Sequence, residues 1–218
     1  HNLLNFGWVK KAIIELKNPY YTHYIYYPTG TSLALHTLSL FNSLLSILLQ
    51  YIFSPVTTYN ILFIFSYVMS GYGTYLLVYY LTKDRKASLI SGLIFAFCIY
   101  RYAHGFNGHL NLVSTEWIPF YVLFLIKTFQ EDNMKNAIIA AFFLFLASLC
   151  SWIYMGFLLI FTALFLIYQF WFNPTGMKIK FLKRFSILVF LFSVMISPFF
   201  YPLLIELSSG NYISHGLS

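Results

Sequence analysis

Long apolar runs separated by short polar punctuation dominate this chain, and their lengths decide how it reads. Residues 57–81 are apolar almost without a break. A helix of about 25 residues covers roughly 37 Å at 1.5 Å per residue, enough to cross a bilayer. Comparable runs follow at 87–103, 112–129, 137–150, 152–172 and 185–207. The last boundary before Ser151 is forced by geometry: residues 137–172 as one helix would extend about 54 Å, so the stretch divides near 148–154. Gly71 and Gly73 suit close helix packing. Pro119 predicts a kink in its span.

Two earlier segments carry a different pattern. Residues 2–17 set Leu3, Leu4, Trp8, Ile13 and Leu16 against Lys10, Lys11 and Lys17, which predicts a helix lying in the membrane interface. Asn18-Pro19 ends it, and tyrosines crowd 20–27, as expected at headgroup level. Tyr27-Pro28-Thr29-Gly30 reads as a turn. A second helix is predicted over 32–53, long enough to span by itself. The fold class is therefore all-α: a polytopic transmembrane helical bundle of about six spanning helices plus two earlier helices, 2–17 in the interface and 32–53 either spanning or lying on the outer surface. Its parts are an outer loop over 1–56, a transmembrane domain over 57–207, and the start of an outer region at 208–218. The first residue is His1 and the sequence opens inside a patterned segment, so it reads as a piece of a longer protein.

Composition agrees with lipid as the solvent. The chain is 60% hydrophobic and only 9% charged, whereas soluble domains carry about 25% charged residues. The net charge of +7 is read as orientation, not as a nucleic-acid footprint. Nine of the 13 Lys and Arg residues fall at 83–86, 127–135 and 178–184, which assigns those turns to the cytoplasm. The expected location is the cell membrane of a prokaryote. With 32–53 on the outer surface all six histidines face outside. With 32–53 spanning from inside, which Lys10, Lys11 and Lys17 favour by charge, His1 and His23 do not. Cys98 and Cys150 sit in apolar runs as small buried hydrophobes.

Candidate chemistry concentrates at 101–117, a polar stretch with an arginine, two histidines, two asparagines and a carboxylate. It is expected to be an outward-facing mouth. Arg101 can hold a phosphate through charge-assisted hydrogen bonds, or anchor the chain at the interface by snorkelling. His104 and His109 flank Gly105 and Gly108, which permit a tight loop; His109 can bind a metal or carry a proton. Glu116 opens a span, where an ionisable group is costly; it is a functional suspect, a helix cap, or a partner of Arg101. Trp117 and Trp152 read most simply as belt aromatics.

The order of these parts resembles the membrane half of the GT-C glycosyltransferases, which use polyprenyl-phosphate-sugar donors. The resemblance rests on Trp8 in the first helix, Tyr27-Pro28-Thr29-Gly30, His36 and Thr58-Tyr59-Asn60. It continues through the run from Arg101 to Leu112 and Trp117-Ile118-Pro119. It is most similar to a bacterial and archaeal branch with a Gly-His-Leu-Asn-Leu loop before Trp-Ile-Pro. The resemblance implies that 2–17 and 32–53 lie on the outer surface, and that a polyprenyl-phosphate sugar and the bilayer are the partners. It implies a catalytic acid upstream of His1. It makes Arg101, His104, His109, Asn111, Glu116 and His36 the candidates for binding donor phosphate or substrate. Many members carry an acidic metal motif in the second outer loop. Here that place holds Asn107, His109 and Asn111 with no carboxylate before Glu116, so a divalent metal stays an open question, with His109 its candidate ligand. The competing expectations are a polytopic transporter or lipid flippase, and a non-catalytic membrane scaffold. No charged residue falls at the centre of a predicted span, which weighs against transport.

Overall fold

A computed structural model describes residues 2–25, 27–28, 30–33, 38–172 and 179–208. Thr29, His36 and the tail beyond Ser208 lie outside the described residues, as do His1 and His215. The described chain is helical apart from one two-residue pair of strands.

Helix α1 (Asn2–Ile14) buries Asn5, Phe6, Trp8, Val9 and Ala12 at helical spacing and leaves Leu3, Leu4, Ile13 and Ile14 exposed. Strands β1 (Tyr21–Thr22) and β2 (Thr31–Ser32) pair antiparallel, Tyr21 opposite Ser32 and Thr22 opposite Thr31. Gly30 is required between them: its φ is +76°, and a Cβ there would lie 2.8 Å from the Thr22 carbonyl oxygen. The expected helix over 32–53 is corrected by this pairing. Helix α2 is only Leu40–Leu49, ten residues and about 15 Å, far too short to cross a bilayer.

Helix α3 (Pro55–Thr82) starts with Ser54 accepting from the Thr57 amide and Pro55 in the first turn, where its missing N–H costs nothing. Asp84 caps α4 (Arg85–Ala96) by accepting from the Lys86 and Ala87 amides. The chain breaks at Phe97 and Cys98 and resumes as α5 (Ile99–Phe106). A short α6 (Leu110–Val113) precedes α7 (Trp117–Gln130). Helices α8 (Met134–Cys150), α9 (Trp152–Phe172) and α10 (Ile179–Ser208) complete the bundle.

Among the described residues, five segments are long and apolar enough to cross a membrane: Pro55–Thr82, Arg85–Phe106, Leu110–Gln130, Trp152–Phe172 and Phe181–Ile205. The sixth expected span, α8, has 17 residues and is shorter than these. It is the central helix. Ala137, Ala140, Ala141 and Ala147 are all buried, so α7 and α10 can approach it closely. The expected glycine packing holds: a Cβ on Gly92 would meet the Gly71 carbonyl oxygen at 2.7 Å, and one on Gly73 would meet the Phe120 ring at 2.8 Å. Pro119 is the third residue of α7, where amide hydrogens have no intrahelical acceptor, and the span expected over 112–129 breaks just before it, between α6 and α7. Trp117 is a core residue rather than a belt one, stacked on Phe143 at 5.7 Å and edge-on to Phe41.

The bundle has two distinct ends. At one, the basic turns converge. Tyr80 donates to Gln130 and to Glu131, Arg184 pairs with Asp132 at 2.8 Å, and Lys83 and Lys127 lie over the Tyr80 ring. At the other, Phe6 of α1 clusters with Leu62 and Leu110, and Tyr20 meets Trp152 at 6.3 Å. The opening segment, the α5–α6 turn and the turn at Ser151 therefore share one end.

Candidate functional site

The stretch at 101–117 is not an open mouth. Most of it is helix, and its arginine and its carboxylate are inside the bundle. Arg101, in the first turn of α5, is 1% exposed, and Glu116, just before α7, is 0% exposed. Both stand at the ends of predicted spans, 87–103 and 112–129, and neither reaches the surface.

Ser66 of α3 joins the two. Its hydroxyl donates to Glu116 Oε2 at 2.7 Å and lies 3.0 Å from the Val113 carbonyl; Arg101 Nη2 donates to the same hydroxyl at 3.0 Å. Cys150 Sγ stands 3.7 Å from Glu116 Oε1. The Arg101 guanidinium lies 4.3 Å over the Tyr67 ring, and the Tyr67 hydroxyl donates to the Arg101 carbonyl. Gly105 permits this approach of α5 to α3, because a Cβ there would lie 2.9 Å from the Phe63 ring. Arg101 Nε and Nη1 are buried without a hydrogen-bond partner. Ser66 lies eleven residues after Pro55, about 16 Å along α3, so the cluster is well below the helix end.

Polar order continues around it. Asn42 Nδ2 donates to Ser114 Oγ at 2.6 Å and to Ser39 Oγ at 2.9 Å. Ser70 and Thr115 hydroxyls sit 3.3 Å apart, and the Tyr154 hydroxyl donates to the Leu112 carbonyl. Asn111 is buried, and its Oδ1 has no partner. Glu116 occupies the cap position of α7, yet its side chain makes no cap bond; it is partnered with Arg101 through Ser66 instead.

The histidines are separate from this cluster. His104 lies in the last turn of α5 and His109 precedes α6, both half-buried, with their Nδ1 atoms 3.3 Å apart. His36 lies outside the described residues. Nearby at the same end, Trp8, Lys11, Lys17, Asn18, Tyr21, His23 and Tyr24 line a hollow of about 420 Å³. The Tyr24 hydroxyl, then Glu15, raises the Lys11 pKa; Lys17 lowers that of Glu15.

An acidic metal motif of the kind the resemblance implies does not fit. Among the described residues no group of three or more His, Cys, Asp and Glu side chains is placed to share an ion. Glu116, the nearest carboxylate, is enclosed by Ser66 and Cys150. Sequence reasoning missed Ser66, Tyr67 and Cys150 as partners. The available signal was the four-residue spacing of Ser66, Ser70 and Thr74, which puts three small hydroxyls on one buried stripe of α3.

Comparison with known protein families, with curated proteins and with solved structures gives no match. The chain is a multi-pass helical membrane protein by its apolar helices, and its chemistry rests on its own residues.

Proposed function

We propose that the chain is the membrane portion of a glycosyltransferase that moves a sugar from a polyprenyl-phosphate donor to an acceptor on the outer face of a prokaryotic cell membrane. The observation that carries the reading is Arg101. Its guanidinium is held by Ser66 and Tyr67 while two nitrogens stay uncommitted, a cation prepared for an anionic oxygen. The GT-C resemblance supports the same assignment. In the reaction, the bond between the anomeric carbon and the phosphate oxygen breaks, and the acceptor oxygen bonds to that carbon with inversion. The acceptor's proton goes to the carboxylate that the resemblance puts before His1, and the polyprenyl phosphate leaves as an anion. Arg101 stabilises the charge that develops on that phosphate.

The test is transfer from a radiolabelled polyprenyl-phosphate sugar in membranes containing the protein. Arg101→Lys keeps a buried cation but loses the planar fork, so transfer should fall by at least about tenfold, in line with one lost charge-assisted contact. An unchanged rate with Arg101→Lys and with Arg101→Gln removes Arg101 from the chemistry.

A second reading has its own support. Arg101 and Glu116 lie within the bundle, and intramembrane ionisable pairs often mark a transport path. Uptake or lipid scrambling by reconstituted vesicles, lost on Glu116→Gln and accompanied by no sugar transfer, would favour a transporter or flippase over the enzyme.

A further inference from the structure

We propose that the hollow between α3, α7 and α8, at the basic end of the bundle, binds one anionic phospholipid. Its phosphate sits at Lys83 and Lys127, and an acyl chain fills the apolar shaft beneath them. The lipid is a packing component that helps to fasten this end, not a sugar donor. The site lies away from Arg101, so its failure leaves the sugar-transfer reading standing.

The hollow holds about 520 Å³. Tyr80, Lys83 and Lys127 form its rim, and Leu76, Phe120, Phe124, Ile139 and Phe143 line it below. Phe143 stacks on Phe120 at 4.9 Å and on Phe124 at 5.7 Å, which makes one wall a continuous aromatic face. Leu76 stands seven residues before Lys83, and Phe120 seven before Lys127. The foot of the shaft is therefore about 10 Å below both lysines. One leaflet contributes about 15 Å of hydrocarbon, so a chain entering at the rim stays within its own leaflet. Leu76, Phe124, Ile139 and Phe143 are half-buried rather than enclosed, which leaves the shaft open to the bilayer.

Charge selects the headgroup. Lys83 Nζ lies 4.8 Å and Lys127 Nζ 4.9 Å from the centre of the same Tyr80 ring, so both ammonium groups stand beside one another's partner. Lys127 Nζ is also 5.3 Å from the centre of the Phe124 ring, which joins rim to shaft. Among the described residues neither lysine makes a side-chain hydrogen bond or an ion pair. Glu131 lies in their field, but its oxygens are engaged: Tyr80 donates to Oε1 and Asn136 to Oε2. Asp132 is held by Arg184. Two lysines whose neighbouring acids are committed elsewhere favour a negative headgroup over a zwitterionic one, and basic pockets between spanning helices hold lipids of that kind.

Native mass spectrometry of the detergent-purified protein tests this. Dioleoyl phosphatidylglycerol is the probe, with dioleoyl phosphatidylcholine and glycerol 3-phosphate as comparators. One phosphatidylglycerol should bind ahead of any phosphatidylcholine, and glycerol 3-phosphate should not displace it. Lys83→Gln and Lys127→Gln should each lower its affinity about fivefold, and together about thirtyfold. Ile139→Trp, which fills the shaft and keeps both lysines, should lower it comparably. Lys86→Gln combined with Lys135→Gln removes the same charge from the same end outside the hollow and should leave the affinity unchanged. Melting temperatures of the variants, measured without added lipid, separate lost binding from lost folding. Equal binding of phosphatidylcholine, displacement by glycerol 3-phosphate, affinity unchanged in the Lys83 and Lys127 double variant, or the same loss from the Lys86 and Lys135 pair would each overturn the proposal.

Discussion

Two buried arginines stand near opposite ends of the bundle, and they are held differently. Arg184 is 6% exposed and reaches a carboxylate directly: Asp132 at 2.8 Å, with the Glu131 carbonyl at 2.5 Å. Asp132 is itself 64% exposed, so water shares the load. Arg101 is 1% exposed, and Ser66 stands between it and Glu116, which is 0% exposed. A direct pair at a wet surface is an anchor. A pair bridged by a hydroxyl in a dry interior leaves more donor capacity unspent, two buried nitrogens without a partner on Arg101 against one on Arg184. The comparison separates the end that fastens the bundle from the end able to take a ligand on a buried arginine.

Arg101→Ala should be the most disruptive way to break this contrast. It leaves Glu116 enclosed without its cation, and losses of about 3–5 kcal/mol are typical when one partner of a buried pair is removed. Unfolding of the detergent-solubilised protein measures this. Adding Glu116→Gln to Arg101→Ala should return part of the loss, because the two changes share one network. Ser66→Ala comes next, at about 1–3 kcal/mol, since it strips the hydroxyl from both charged groups at once. Arg184→Ala should cost about 1 kcal/mol or less, because its carboxylate partner is already in water. If Arg184→Ala costs as much as Arg101→Ala, the contrast between the ends fails.

The smallest effect concerns acid. Glu131 is held below the usual carboxylate range, first by the Asn136 amide and then by the Tyr80 hydroxyl, Lys127 and Lys83. A depressed folded-state pKa means the stabilisation is present above the ordinary value of about 4.3 and is lost as pH falls through the lower, folded one. Glu131→Gln should therefore lower the melting temperature slightly near neutrality and make its fall in acid shallower. Melting temperature against pH for both proteins checks the sign.

The spans were legible because a run of apolar residues longer than any soluble helix needs leaves one solvent to choose. The basic turns were legible for the related reason that clustered lysines and arginines are costly within such runs, and they do meet around Tyr80 and Arg184. The helix expected over 32–53 failed because its leucines show burial without showing period. Thr31–Ser32 pairs as a strand, and the helix waits until Leu40. Residues 101–106 were expected in the outward-facing mouth, overlapping the end of the span read over 87–103. The structure makes them a two-faced helix, with Arg101 inward and Tyr102 and Phe106 outward. The Ser66 bridge was hidden because a serine in an apolar run looks neutral until a charged neighbour is known. That neighbour comes from 35 residues away along the chain.

The central claim is that the end formed by α1, the β1–β2 pair and the α5–α6 turn faces outside the cell, with Arg101 beneath it. Cysteine labelling by a membrane-impermeant reagent tests it most directly, using Asn107→Cys and Lys86→Cys in a background where Cys98 is alanine. The account predicts that Asn107→Cys reacts in intact cells and Lys86→Cys only after lysis. Reaction of Lys86→Cys in intact cells, with Asn107→Cys silent until lysis, would contradict it.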